Sequence, residues 1–230
     1  MSETQQLRFS SFIFIKVSPE FRRLISNEKI AAKQELEGAV AFHQDEIFLR
    51  TYSLQGLRAD CDMLLWLIST DVEHLQQAWA QISSSGAGKY FIEKYSYLGF
   101  FELKQEHLQC DLECGVIPAG LFGKYRYMLM HPLTRTFKWH QMSAEEQDQF
   151  LIERREVLEQ FPSVTEHQFA SFGLDDQDSI VLRESNELHA LAHVTEKLRE
   201  KRIKNFAKAD TPSFFCVGSD LRDILDRLGK

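Results

Sequence analysis

"YSLQGLRADCDMLLWLIS" (Tyr52–Ser69) and "FASFGLDDQDSIVLRES" (Phe169–Ser185) carry one pattern twice. Each is a strand-like run, then Gly-Leu, then acidic turn residues, then a second strand-like run. Gly56 and Gly173 punctuate two β-hairpins, because glycine reaches the positive-φ conformations that tight turns need. The repeat widens on both sides. In the first half "RFSSFIFIKV" alternates like a strand, and "SPEFRRLISNEKIAAKQELEGA" reads as a helix with Ser18 as cap and Pro19 at its first position. After the Gly56 hairpin, "TDVEHLQQAWAQI" opens with a Thr70/Glu73 capping box and puts Leu75, Trp79 and Ile82 on one face. "YSYLGFFEL" closes the half as a strand. The second half follows the same order. The strand "KYRYMLM", the helix "SAEEQDQFLIERREVLEQF" with a Ser143/Glu146 capping box, the Gly173 hairpin, the helix "ELHALAHVTEKLREKRI" and the strand "SFFCV" succeed one another.

Both halves therefore read β-α-β-β-α-β, the ferredoxin-like unit. The fold class is α+β, with two ferredoxin-like repeats packed as a dimeric α+β barrel within one chain. The divisions are an N-terminal half over 1–105, a linker over 106–122, a C-terminal half over 123–218 and a tail with a short helix over 219–230.

Composition narrows the function. A net charge of −7 and a pI near 5.6 exclude a whole-protein basic field for nucleic acid. The basic run Glu196–Lys208 is broken up by acids and reads as a solvated helix end. No apolar run is long enough to span a bilayer, and "MSETQQLR" lacks a signal-peptide core, so a soluble, cytoplasmic protein is expected. Four cysteines without a CxxC pair, and without a histidine ligand motif beside Cys110 and Cys114, argue for reduced thiols rather than zinc. His189 and His193 are spaced as two metal ligands on one helix face but lack a third, and Asp175, Asp176 and Asp178 suit a turn. "GAGK" (86–89) follows a helix, not a strand, and so lacks the setting of a phosphate loop.

One residue breaks the pattern. Phe150, Val157, Leu158 and Phe161 predict a core-facing residue at 154, and Arg154 stands there. An inward arginine snorkels to water, pairs with a buried acid, or faces an anion in a cavity. In the following strand Glu166, Gln168 and Ala170 share one face, and Thr165, His167 and Phe169 share the other. A histidine on the more apolar face is a hydrogen-bonded core residue or a ligand.

"YSLQGLRADCDMLLWL", "YRYM", "PSV", "SFGLDDQD", the "EKLRE" helix and "DTPSFFCV", in this order from about Phe9 to Val217, resemble the chlorite dismutase family, which includes coproheme decarboxylases and heme-binding peroxidase-like proteins. The resemblance implies the duplicated ferredoxin-like fold, a homopentameric ring and heme chemistry in the C-terminal half. It also exposes departures. The family's proximal heme-ligating histidine falls at Arg154, fifteen residues after the Trp139 match and eight before Pro162. A guanidinium cannot ligate iron. The Tyr-Pro dipeptide of coproheme decarboxylases, whose tyrosine takes part in oxidation, is His131-Pro132 here. Pro132 and Trp139 match the family, and Arg135 matches a cation near the porphyrin propionates. The distal position falls at Glu166 or His167, and His107 resembles a linker histidine of some members.

The tetrapyrrole-pocket candidates are thus His131, Arg135, Trp139, Arg154, Glu166, His167 and His107, with His131 or His167 as the metal-ligand candidates. The first functional expectation is a divergent member without the usual heme catalysis, acting as a binding or scaffold protein. The alternatives are a heme or other tetrapyrrole binder with altered ligation, and a heme-dependent peroxidase, coproheme decarboxylase or chlorite dismutase-type oxidoreductase. Expected partners are further copies of the chain and a tetrapyrrole, with no nucleic acid and no membrane span.

Overall fold

The computed structural model describes residues 7–103 and 112–229. His107 and Cys110 lie outside them. The chain forms two compact units, one of residues 1–124 with 216–230 and the other of 125–215.

The first unit runs β1 (Leu7–Val17), α1 (Pro19–Arg23), α2 (Ser26–Phe42), β2 (Phe48–Ser53), β3 (Met63–Ser69), α3 (Val72–Ser84) and β4 (Phe91–Glu102). Its strand order is β2-β3-β1-β4 with every pair antiparallel, the ferredoxin-like order. A short hairpin of β5 (Leu112–Glu113) and β6 (Ile117–Pro118) follows. The expected long first helix is two helices. Ser18 caps α1 by accepting from the Glu20 N–H, and the chain leaves helical geometry at Leu24 and Ile25 before α2 starts. The cap of α3 is Asp71 rather than Thr70, and its carboxylate accepts from the Glu73 N–H at 2.9 Å. Aspartate there also adds a negative charge at the positive end of the helix dipole.

Leu75, Ala78 and Ile82 of α3 are buried against Ile13, Ile15, Met63, Leu65 and Leu67 of the sheet, and Trp79 packs beside them. The "GAGK" glycines serve this packing. A Cβ on Gly88 would overlap the Ile82 carbonyl, and one on Gly86 would overlap the Ala32 carbonyl. The Gly86 N–H donates to the Glu35 carboxylate at 3.0 Å.

The second unit runs β7 (Tyr127–Arg135), α4 (Phe137–His140), α5 (Ala144–Glu159), β8 (Thr165–Ala170), β9 (Ser179–Ser185), α6 (Leu188–Arg199), β10 (Ala207–Ala209) and the start of β11 (Phe214–Gly218). β9 lies between β7 and β8, all antiparallel, and β11 flanks β7 on its other side. Strand, helix, hairpin, helix and strand thus recur in the order of the first unit. Gly56 and Gly173 hold φ of +73° and +84° in the two hairpin turns. The capping box of α5 has both its bonds, Glu146 N–H to Ser143 Oγ at 3.3 Å and Ser143 N–H to the Glu146 carboxylate at 2.9 Å.

The tail after β11 is α7 (Leu221–Leu228), and it belongs to the first unit. Ile224, Leu225 and Leu228 are buried in that unit's core. At about 1.5–3 kcal/mol for each fully buried aliphatic side chain, α7 is a structural part of the unit rather than an appendage. β7 also differs from its sequence pattern. It continues through His131 and Pro132 to Arg135, so "MHPLTR" is strand, not loop. Leu129, His131, Leu133 and Arg135 consequently alternate onto one face.

Candidate functional site

That face of β7 forms the floor of a cavity of about 60 Å³ inside the second unit. β9 adds Arg183, α5 adds Arg154, and α6 adds Thr195, Leu198 and Arg199. The segment around β10 adds Lys204, Ala207 and Asp210. The helices lie together over the sheet because their apolar sides stack on one another. Val157, Ala190, Leu191, Val194 and Leu198 form a small core with Val164.

The chemistry of the cavity is set by three charged side chains from three elements. Glu166 of β8 stands opposite Arg183 of β9 in the strand register. Arg183 Nε donates to Glu166 Oε2 at 2.7 Å. Arg154 Nε donates to Glu166 Oε1 at 3.0 Å, and an Arg154 terminal nitrogen lies 2.7 Å from Oε2. The second Arg154 contact is close but not aligned as a hydrogen bond, so that N–H keeps unused donor capacity. Side-chain exposures of 11%, 10% and 4% for Arg154, Glu166 and Arg183 make this a buried Arg-Glu-Arg network. Of the three destinations open to Arg154, pairing with a buried acid is therefore observed, and its guanidinium also lines the cavity.

Two positive charges on one carboxylate leave an excess of one. Burial alone raises the Glu166 carboxyl, but Arg154 and Arg183 outweigh it and hold it below its usual range. Arg135 adds a further cation. It is buried, its guanidinium lies 4.2 Å from the Trp139 ring centroid, and burial together with Arg154 pushes its pKa down to about 10. It remains protonated at pH 7. Lys204 is paired with Asp210. The surroundings thus hold five cations, Arg135, Arg154, Arg183, Arg199 and Lys204, against the carboxylates of Glu166 and Asp210. Burial and the Arg183 charge push His131 down to about 3, so its ring is neutral at pH 7.

The remaining candidates are elsewhere. Trp139 of α4 lies in a neighbouring cleft of about 470 Å³ with Arg135, His140, Gln168 and Phe172. His167 alternates onto the opposite face of β8 from Glu166, and its ring lies 3.7 Å from the buried Glu184 carboxylate. Glu166 and His167 thus project from opposite faces of β8, and Glu166 is the one that pairs with the cavity-lining Arg154 and Arg183. His189 and His193 sit on the exposed side of α6 with ring centroids 6.2 Å apart, and no cluster of three potential metal ligands occurs among the described residues. In the acidic turn, Asp178 accepts the Arg135 backbone N–H and stands 3.4 Å from His140. Sequence reasoning missed Arg183. The available signal was the one that found Arg154, a lone arginine inside the apolar run "SIVLRES".

Comparison with known proteins places this geometry in a family. The sequence profile of chlorite dismutase matches residues 29–219, most of the chain. The chain belongs to the chlorite dismutase family. It is 26% identical over 180 residues to a coproheme decarboxylase of Mycolicibacterium smegmatis, covering 77% of this chain and 75% of that one. It is 22% identical over 187 residues to a chlorite dismutase of Ideonella dechloratans, covering 79% of this chain and 66% of that one. A mutant chlorite dismutase from Candidatus Nitrospira defluvii superposes with a TM-score of 0.85 at 16% identity, over 99% of this chain and 97% of that one. The same enzyme in complex with imidazole gives 0.84 at 17%, over 99% and 97%. At such identities these structures show a shared chlorite dismutase fold.

Heme, the group the family implies, does not fit the cavity as this chain builds it. The space beside Arg154 and Arg183, where the family resemblance implies the axial ligand, is only about 60 Å³, against about 300–1,000 Å³ for pockets that bury drug-sized ligands. α5 contains no histidine, and its inward Arg154 is engaged by Glu166. A metal ion beside Arg154 and Arg183 would meet two fixed positive charges. The adjoining cleft at Trp139 is larger, but its one imidazole, His140, is a surface group facing Asp178.

Proposed function

We propose that this chlorite dismutase-family chain has exchanged heme catalysis for ligand binding or scaffolding, with Arg154, Glu166 and Arg183 occupying the position of the heme-ligation site. The observation that carries this reading is the buried Arg-Glu-Arg network at the helix position where the family resemblance implies an axial histidine. Such a network is costly to take apart, because removing any one member leaves an uncompensated buried charge. Ordinary family redox chemistry is the least supported reading, because α5 has no group to tune an iron from that side. We also propose a homo-oligomeric ring, by resemblance to the family. Phe137 and Phe172, 76% and 72% exposed, offer apolar surface suited to subunit contact.

The test is an absorption spectrum after incubation with ferric heme, coproheme and metal-free porphyrin, followed by gel filtration. The expected result is no stoichiometric Soret band in the protein peak. A second reading, tetrapyrrole binding with ligation from the other side, is favoured by one observation: the neutral His131 imidazole on the cavity floor. Under that reading a Soret band appears and His131→Ala shifts it, while His167→Ala leaves it unchanged.

A further inference from the structure

The cationic cavity is not closed on all sides. Leu129, Thr195, Arg199 and Ser213 also line an open groove of about 590 Å³ on the α6 side of the same unit. The groove is mainly apolar, with Leu188, Leu191, Ala192 and Phe215 along its length. Leu188 is 51% exposed, and Ala192 is exposed beside it. The two spaces share a wall but have opposite chemistry.

The inner end has donors without acceptors. Arg183 is 3% exposed, lines the cavity and gives its Nε to Glu166, and a buried terminal nitrogen of Arg154, which lines the cavity beside it, makes no hydrogen bond among the described residues. Unpaired guanidinium donors at such depth are costly unless a ligand or water meets them. A void of 60 Å³ has room for roughly two waters or one carboxylate head. The outer end carries the exposed acids Glu196 and Glu200 on its rim, Glu200 paired with Lys197. An anionic group is thus attracted inward and repelled outward, which fixes the direction of a ligand that has a charged end and an apolar body.

We propose that cavity and groove are one binding site for an amphipathic monocarboxylate. Its carboxylate meets Arg183 and Arg154 beside His131, and its apolar chain lies along Leu188, Leu191 and Phe215. The guanidinium fork suits this head group, because two parallel N–H donors match the two carboxylate oxygens. The proposal rests on the reading of the second unit as a heme-free binding site.

Titration calorimetry on the full chain, below the micellar limit, tests it with dodecanoate, acetate, dodecanol and inorganic phosphate. Dodecanoate is expected to bind one per chain and at least a hundredfold more tightly than acetate, since each buried methylene contributes up to about fourfold. Dodecanol and phosphate are expected to bind at least tenfold more weakly than dodecanoate. Ala192→Trp, which fills the groove from the exposed side of α6, is expected to weaken dodecanoate at least tenfold. Arg183→Gln is expected to do the same, and an unchanged circular-dichroism spectrum confirms that each variant is folded. Dodecanoate no tighter than acetate, phosphate as tight as dodecanoate, or an unaffected Ala192→Trp variant overturns the proposal. Ferric heme added to the same samples separates the two readings. A stoichiometric Soret band that displaces dodecanoate overturns both, whereas no Soret band and no dodecanoate binding overturns this inference alone.

Discussion

Glu166 is the residue on which the site turns. Its carboxylate accepts from both Arg154 and Arg183, which approach it from α5 and β9. Glu166→Gln removes the charge while keeping the shape, and leaves two buried guanidinium groups facing each other. The expected cost is about 3–5 kcal/mol, as for breaking other buried ion pairs, read from urea unfolding at pH 7. A loss below about 1 kcal/mol, the range of exposed pairs, would contradict burial of the network. His131 makes a separate prediction. Its folded pKa is near 3, below its ordinary 6.5, so the unfolded chain binds the extra proton between those values. The stability from a neutral His131 is therefore complete above about pH 6.5 and declines as pH falls toward 3. Glu166, held below its usual 4.5, keeps its own contribution above that value and loses it only at lower pH. Melting curves at pH 7.5 and 5.0 thus isolate the histidine. The wild-type melting temperature should fall more over that interval than that of His131→Gln. Equal falls would place His131 in contact with water.

At the scale of elements, much was legible because local chemistry decides it. The Ser143 capping box is written in the sequence, and both of its bonds form. Ser143→Ala should therefore cost about 1 kcal/mol, measured by thermal unfolding, and an unchanged stability would mean that α5 does not depend on its cap. Where tertiary packing decides, the sequence was less explicit. Thr70 and Asp71 both offer capping oxygens, and only the backbone path into α3 selects Asp71. The end of β7 was hidden because Pro132 and the polar residues after it resemble a loop, yet β9 pairs with the strand through Leu133. "GAGK" carries no ligand and is explained by contact. Gly88→Ala should be severely destabilising, because its Cβ would meet the Ile82 backbone carbonyl, which cannot swing away. The site was half legible. Arg154 declared itself through helical period, and Glu166 through strand alternation. Arg183, Arg199 and Lys204 lie on three segments that only the fold brings around His131.

At the scale of the molecule, two repeats of one supersecondary unit have kept the same topology and diverged in use. The first unit uses its glycines and its α7 tail for packing, while the second holds the buried Arg-Glu-Arg network. None of the described helices is long and apolar enough to cross a membrane. Light scattering after gel filtration should give a mass near five times the 26.8 kDa chain if the proposed ring is kept, and a monomer mass would remove that part of the proposal. The most direct test of the account remains the heme titration of the intact protein with its absorption read after gel filtration. The expected result is a protein peak without a stoichiometric Soret band, in the wild type and in His131→Ala alike. A one-to-one Soret band in the wild type that His131→Ala abolishes would contradict it.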